Sequence, residues 1–366
     1  MMGSVFLPPR AARACGGGVV TRVQSGTIGA NAQRILISVH GGTTDVITQI
    51  GVPATTADYG VLIPVPSEPT LDPSPVASAD IDVLDTKTAP TFIQQPNDEG
   101  GIPLPSCGCG SSDKGGVGQP FDAGVHVSQP VTIGPVTAVS LTADSGDAIN
   151  AWLADNGFVV PTGDQSLVDA YAGTGRYFIA IRRSDTAATG GATSVGVHFT
   201  LAGDERGLPL RFARLGAATT VAFTVFVAAD SVVAPSSPFA ALTINDLNRG
   251  NLNSGGYASA LSAAVSQRGN HAFVLEGAWM VSSLSNAVGS SLSSFVQSSQ
   301  TLTRLSTMLP ATALDADVVF DQPYSGPVPN QRYTQRTRAP GGKTQVAFSA
   351  VALLGFAAIV RRRPRR

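Results

Sequence analysis

The sequence predicts an α+β fold: strand-rich antiparallel or mixed sheets with a few helices, followed by a single C-terminal transmembrane or sorting helix. Apolar β-branched segments outnumber helical segments without regular alternation, which argues against a doubly wound sheet. The composition, 43% hydrophobic and 13% charged with 40 Gly and 25 Pro, is that of a globular chain with many turns. A run of 15 residues without charge, 346–360, predicts the C-terminal helix.

The first ordered region is predicted to consist of strands. "RILISVHGGTTDVITQIGV" (34–52) places two β-branched segments around a Gly-Gly pair, which is typical of a hairpin. "YGVLIPVPSEP" (59–69) predicts a short buried strand that ends at prolines, because proline cannot donate a ladder hydrogen bond. Residues 96–130 are rich in Gly, Pro and Ser and lack an apolar period, which indicates a linker or long surface loop.

The second ordered region mixes helices and strands. Residues 137–161 run from a strand into a helix that begins near Asp144 or Ser145 and stops at Gly157. Two further helices are predicted at 166–175 and 255–270. The predicted strands are 176–183, 193–202, 219–229 and 271–277.

These features divide the chain into six segments. They are a signal-peptide remnant (1–14), a strand-rich first region (15–95), a Gly/Pro/Ser-rich linker with a Cys-x-Cys pair (96–130), an α+β second region (131–320), a Pro/Gly/Arg linker (321–343) and a hydrophobic helix with an Arg cluster (344–366).

The C-terminal tail is predicted to contact a membrane. As a helix, residues 346–360 reach about 22 Å, and adding 344–345 with a snorkelling Arg361 brings the segment to the lower limit of a bilayer span. The positive-inside rule keeps the Arg cluster cytoplasmic and the body outside. A buried C-terminal helix is the alternative. The anchor residues are Val346, Phe348, Leu353, Leu354, Phe356, Ile359 and Val360, and the topology residues are Arg361, Arg362, Arg363, Arg365 and Arg366.

The charge distribution argues against a nucleic-acid partner. Five of the 24 Lys and Arg residues lie among the last six positions, and without them 19 basic residues face 25 acidic ones, a net charge of −6. An acidic body offers no positive field to a phosphate backbone. The sequence therefore predicts a membrane partner through the tail and no nucleic acid, and it indicates no particular protein or ligand partner.

The N-terminus and the cysteines bear on export. Ala12-Arg13-Ala14 forms a small-x-small site before Cys15, but the apolar row ahead of it is short, so a start upstream of Met1 is expected. In an exported chain Cys15 is expected to form a disulfide with Cys107 or Cys109, leaving one thiol. A metal site at Cys107 and Cys109 is the alternative, although Cys-x-Cys with one distant Cys lacks the paired spacing of zinc sites.

Two His–acid pairs are the catalytic candidates. His40 and Asp45 flank the Gly-Gly turn, and His271 and Glu276 lie around a predicted strand. Such a pair can transfer protons if both side chains face a cleft, but on a solvated strand edge it is structural. The chain contains no GxSxG or HExxH motif and no complete phosphate-binding or dinucleotide-binding loop, so no cofactor is predicted.

The order of several segments resembles the bacterial DUF2330 family. They are "CGGG" (15–18), "QRILISVHGG" (33–42), "YGVLIPVPSEP" (59–69), "TAPTFI" (88–93), "AINAWLADNGFVVP" (148–161), "YFIAIR" (177–182), "LPLRF" (208–212), "YASALSAAV" (257–265), "HAFVLE" (271–276) and "LTRLSTMLPATALDADVVF" (302–320). The resemblance implies an exported or membrane-linked protein and no established activity. The tail is similar to the C-terminal sorting tails of some Gram-negative surface proteins, whose helix is removed after export.

Two functional hypotheses follow. The first is an envelope or cell-surface protein with a non-catalytic binding or structural role, tethered by the C-terminal helix. The second is an extracytoplasmic hydrolase or redox enzyme whose site is assembled from dispersed residues. In both, the body lies outside the cytoplasmic membrane, and the tail is either a lasting anchor or a sorting signal that is later removed.

Overall fold

A computed structural model describes residues 18–22, 30–51, 59–94, 125–134, 136–183, 196–247, 256–284, 288–328 and 332–335. These residues form 21 strands and four α-helices, which confirms the predicted strand-rich α+β class. The helices are α1 (Ser78–Thr88), α2 (Gly146–Asp155), α3 (Gln165–Ala172) and α4 (Gly256–Ser266).

The strands are β1 (Gly18–Arg22), β2 (Ala30–His40), β3 (Thr43–Gly51), β4 (Tyr59–Val65), β5 (Thr70–Leu71), β6 (Thr91–Gln94), β7 (Val125–Val127), β8 (Val131–Ile133), β9 (Val136–Ala143), β10 (Phe158–Val159), β11 (Tyr177–Arg183), β12 (Gly196–Ala202), β13 (Gly207–Leu208), β14 (Ala217–Ala229), β15 (Val233–Ala234), β16 (Ala240–Thr243), β17 (Ala272–Met280), β18 (Thr301–Pro310), β19 (Val318–Val319), β20 (Gln322–Pro323) and β21 (Arg332–Gln335).

Two large sheets organise the body. The seven-stranded sheet has the order β10-β1-β4-β11-β9-β7, with β8 also paired to β9, and all its pairs are antiparallel. The eight-stranded sheet has the order β16-β17-β18-β14-β2-β3-β12-β5. It is mixed, because β14 runs parallel to β2 and β16 runs parallel to β17. Both sheets contain strands from the first and the second sequence regions.

The main hydrophobic core joins the facing sides of the two sheets. Alternate residues of β4 and β11 pack with alternate residues of β2, β12 and β14, as the period of two in a strand requires. Representative members are Ile63, Ile179, Ile37, Phe199 and Val225, all fully buried. Burial of this apolar surface is the main favourable term in the stability of the fold.

Helices and a long loop cover the outer sides of the sheets. Helices α2 and α3 pack on the seven-stranded sheet around Phe178 and Leu141. On the eight-stranded sheet, α1 and residues 288–300 cover Leu36 and Ile47. We call residues 288–300 the strap. The fold therefore consists of four layers, with the strap and α1 forming one outside layer.

The turn of the β2–β3 hairpin and the two ends of α2 lie where the sequence predicted them. The hairpin of β2 and β3 turns at Gly41 and Gly42, whose φ angles of 59° and 81° favour glycine. Ser145 is the N-cap of α2, and its Oγ accepts from the amide of Ala148 at 3.2 Å. Gly157 follows the helix with a φ of 83°. Strands β7, β20 and β21 lie in the segments that the sequence indicated to be linkers.

Candidate functional site

The β2–β3 hairpin brings His40 and Asp45 together, as the sequence indicated. His40 ends β2 opposite Thr43, and Asp45 is the third residue of β3, opposite Ser38, so the two are diagonal neighbours beside the turn. The Oγ1 of Thr43 donates to the carbonyl of His40 at 3.0 Å and fixes the turn. His40 Nε2 then donates to Asp45 Oδ2 at 2.8 Å.

Two residues from distant parts of the chain extend this pair. Strand β12 pairs with β3 in a register that places Thr200 opposite Asp45 and His198 diagonally on the same face. His198 Nε2 donates to Asp45 Oδ1 at 2.9 Å, and Thr200 Oγ1 donates to the same oxygen at 2.8 Å. His198 Nδ1 lies 3.1 Å from Asp72 Oδ2, beyond the end of β5. The four side chains form a continuous His40–Asp45–His198–Asp72 chain of hydrogen bonds.

Both carboxyl groups of this chain favour the ionised form. Burial alone would raise the pKa of Asp45, but hydrogen bonds from His198, Thr200 and His40 hold that pKa below its ordinary value. Burial likewise acts to raise the pKa of Asp72, but the Ser74 amide, the Ser74 hydroxyl and His198 lower it overall. Two carboxylates and two imidazoles therefore share one hydrogen-bonded line.

The chain of four has limited access to solvent. The His198 side chain is 6% exposed, and its ring stacks on Phe295 of the strap with ring centroids 4.0 Å apart. His40 is 24% exposed and is the imidazole that solvent reaches. Chemically, this arrangement can conduct a proton from His40 to Asp72. It can also hold β2, β3 and β12 together with residues 72–75, which follow β5 and which we call the β5 loop. Within the described ranges, no three His, Cys, Asp or Glu side chains are arranged to hold a metal ion.

The second candidate pair, His271 and Glu276, is divided between different partners. His271 lies just before β17, where Nε2 is 2.8 Å from Asp315 Oδ1 and Nδ1 is 2.9 Å from the Gly269 carbonyl oxygen. Glu276 is 1% exposed and accepts hydrogen bonds from Arg304 and Tyr257. Each side chain therefore stabilises its own part of the fold, and the two share no partner in these bonds.

Other predicted sites lie outside the described residues. They are the disulfide and metal candidates Cys15, Cys107 and Cys109, the anchor residues 346–360 and the Arg cluster. Among the helices that the structure describes, none combines the length and the apolar character needed to cross a bilayer.

Sequence reasoning missed His198 and Asp72. His198 is one of four histidines without a regular spacing, and it lies within an alternating strand of ordinary composition. Asp72 stands before Pro73 and Ser74, and its carboxylate accepts the Ser74 amide at 2.8 Å, which is the signature of a turn. Neither residue carries a local signal of a site, because the pairing of β12 with β3 and β5 brings them together.

One protein-family model matches the chain. Residues 9–321 match the family described as an uncharacterized protein conserved in bacteria, DUF2330. The chain belongs to the DUF2330 family. The resemblance seen in the sequence is thus confirmed over most of the chain. No curated protein and no solved structure matches it. In this DUF2330 protein the four-residue chain is the candidate site, and its chemistry has to be argued from its own geometry.

Proposed function

We propose that this chain is an exported envelope or cell-surface protein with a non-catalytic binding or structural role, tethered by its C-terminal helix. The observation that supports a non-catalytic role is the use of the candidate acid–base groups in bonds within the body. His198 binds two carboxylates, His271 binds Asp315, and Glu276 binds Arg304 and Tyr257. A catalytic acid or base needs a proton that it can exchange with a substrate, and these groups are engaged by structural partners.

The sequence supports placement of the body outside the cytoplasmic membrane. Its support is the apolar run 346–360, the five arginines that follow it and the Ala12-Arg13-Ala14 site before Cys15. In an oxidising compartment Cys15 would form a disulfide with Cys107 or Cys109. These features together favour a protein that is exported and then held at the envelope or displayed at the cell surface.

Fractionation of native cells tests this placement. We expect the wild-type chain in the membrane or surface fraction. A matched variant lacking 344–366 keeps every described residue, and we expect it in the soluble extracytoplasmic fraction. Mass spectrometry of both purified chains reports leader removal, tail removal and disulfides. Wild-type protein found entirely in the cytosol would contradict the proposal, and a truncated chain that stays with the membrane would contradict the tether.

An extracytoplasmic hydrolase is the second candidate, and one observation favours it. Residues 40, 45, 72 and 198 are dispersed in sequence but form one hydrogen-bonded chain whose end at His40 is partly exposed. A His–Asp pair with an accessible imidazole can act as a general base.

An activity assay tests this second candidate. Purified wild-type protein can be compared with Asp45→Asn and with the control His271→Gln on ester, amide and phosphoester substrates. Turnover that only Asp45→Asn abolishes would favour the hydrolase, and no turnover by the wild type supports the non-catalytic role.

A further inference from the structure

His198 binds a carboxylate with each of its ring nitrogens. Nε2 lies 2.9 Å from Asp45 Oδ1, and Nδ1 lies 3.1 Å from Asp72 Oδ2. An ionised carboxylate only accepts hydrogen bonds, and a neutral imidazole carries only one N–H. Both bonds can therefore form together, with both carboxylates ionised, only when His198 is the doubly protonated imidazolium. Removal of one proton leaves a nitrogen lone pair facing a carboxylate oxygen, which is repulsive.

The strap is attached to the same ring. Phe295 stacks on the His198 imidazole with ring centroids 4.0 Å apart and an interplanar angle of 32°. A cation above an aromatic face is attracted by the ring quadrupole, whereas a neutral imidazole loses this attraction. Deprotonation of His198 thus weakens two contacts at once: the bond to the β5 loop through Asp72 and the packing of the strap through Phe295.

The charges around His198 come from few groups. Strand β3 contributes Asp45, the β5 loop contributes Asp72, and β2 contributes His40 through its bond to Asp45. The strap contains no Asp, Glu, Lys, Arg or His, and neither does the rest of β12. The acidic side chains of α1 have other partners: Asp80 accepts from Ser291, while Asp82 and Asp85 pair with Arg34.

We propose that the protonation state of His198 controls the attachment of the strap, and we call this arrangement a clasp. The imidazolium form of His198 holds the strap and the β5 loop on the outer face of the eight-stranded sheet. The neutral form releases them. The covered surface is apolar, since Phe295 and Val296 in the middle of the strap pack against the cluster that contains Leu36 and Ile47. Release at higher pH exposes this surface. The Asp80–Ser291 bonds and the bonds of Gln300 to Val39 and Ala228 hold the two ends of the strap, so movement is confined to its middle.

Hydrogen–deuterium exchange of the full chain tests the clasp. The amide of Phe295 donates to Leu292 O at 3.0 Å, and the amide of Gln297 donates to Gln300 Oε1 at 2.7 Å, so both report on the strap. Between about pH 5 and about pH 9, a range that brackets histidine titration, we expect their protection factors to fall by about tenfold. Amides in β2 and β14, at the centre of the sheet, report global unfolding and should not change. Unchanged strap protection over this range would overturn the proposal.

Asp72→Asn is the decisive variant, because it preserves shape and removes the charge. Its amide oxygen can still accept from the Ser74 amide, and its NH₂ can donate to the lone pair of a neutral His198. The strap should therefore lose much less protection at high pH than in the wild type, because only the cation–π contact with Phe295 is weakened. The control is His271→Gln: both nitrogens of His271 also face oxygen acceptors, but it lies away from the strap. Its profile should match the wild type.

Spectra of protein labelled with ¹⁵N-histidine give an independent measurement. They distinguish an imidazolium from either neutral tautomer, and in the wild type His198 should be an imidazolium wherever the strap is protected. A neutral His198 under a protected strap in the wild type, or an Asp72→Asn profile identical to the wild type, would overturn the clasp.

Discussion

Arg304 and Glu276 form a buried ion pair where β17 bulges against β18. Gly277, not Glu276, is paired with Arg304, and Leu275 is paired with Leu305, so Glu276 is the extra residue of the bulge. The bulge lets the carboxylate meet the Arg304 guanidinium, which also pairs with Asp85 Oδ1 of α1 at 2.6 Å. Burial would lower the pKa of Arg304, but Glu276 and Asp85 raise it, so the guanidinium stays charged. One charged cluster therefore connects β17, β18 and α1.

Glu276→Gln should destabilise the fold by about 3–5 kcal/mol, because it leaves the buried Arg304 without its main counter-charge. The measurement is the free energy of unfolding in urea. Asp82→Asn is the control, since Asp82 also pairs with an arginine but its side chain is 57% exposed. We expect this control to cost about 0–1 kcal/mol.

A double variant separates the ion pair from simple loss of packing. Glu276→Leu with Arg304→Met removes both charges together and should cost less than Glu276→Gln, because no uncompensated charge remains buried. A double variant that costs as much as the sum of its two single variants would contradict this view of the cluster.

Asp45→Asn should alter how stability depends on pH. The folded pKa of Asp45 lies below its ordinary value of 3.8, so its ionised form contributes stability that is complete above the unfolded pKa and disappears as pH falls through the folded pKa. The stability difference between wild type and Asp45→Asn should therefore shrink as pH falls below about pH 5. Denaturant titrations at stepped pH measure this difference, and a gap that persists unchanged into acid would contradict the expectation.

The parts of the fold that the sequence predicted are those with local signals. The β2–β3 hairpin follows from Gly41 and Gly42, and α2 from Ser145 and Gly157, because turns and caps depend on neighbouring residues. The parallel pairing of β2 with β14 has no local signal, since it joins residues nearly two hundred positions apart. Helix α1 was not predicted; of its 11 residues only Ile81, Leu84 and Thr88 are buried, so it has no broad apolar stripe.

In the candidate site, too, a contact between residues close in sequence could be predicted, and contacts between distant residues could not. His40 and Asp45 are five residues apart and could be paired from the sequence, because a tight hairpin makes them diagonal neighbours on adjacent strands. His198 is 153 residues from Asp45 and 126 from Asp72. Only the register of β12 against β3 and β5 determines those contacts, and no short-range pattern encodes that register.

Gly146→Ala should destabilise the packing of α2 against α3. A Cβ at Gly146 would contact the Asp169 carboxylate and would lie 2.5 Å from Asp169 Cα and 2.6 Å from its amide nitrogen. Rotation of the Asp169 side chain cannot relieve the clash with backbone atoms, so the helices must move apart. Overpacking of this kind costs about 1–3 kcal/mol. Gly163→Ala is the matched control, because a Cβ there has nothing within 4 Å, and it should change stability by less than about 0.5 kcal/mol. Thermal melts of both variants measure the difference; equal melting temperatures would mean that α2 and α3 are not packed closely at this glycine.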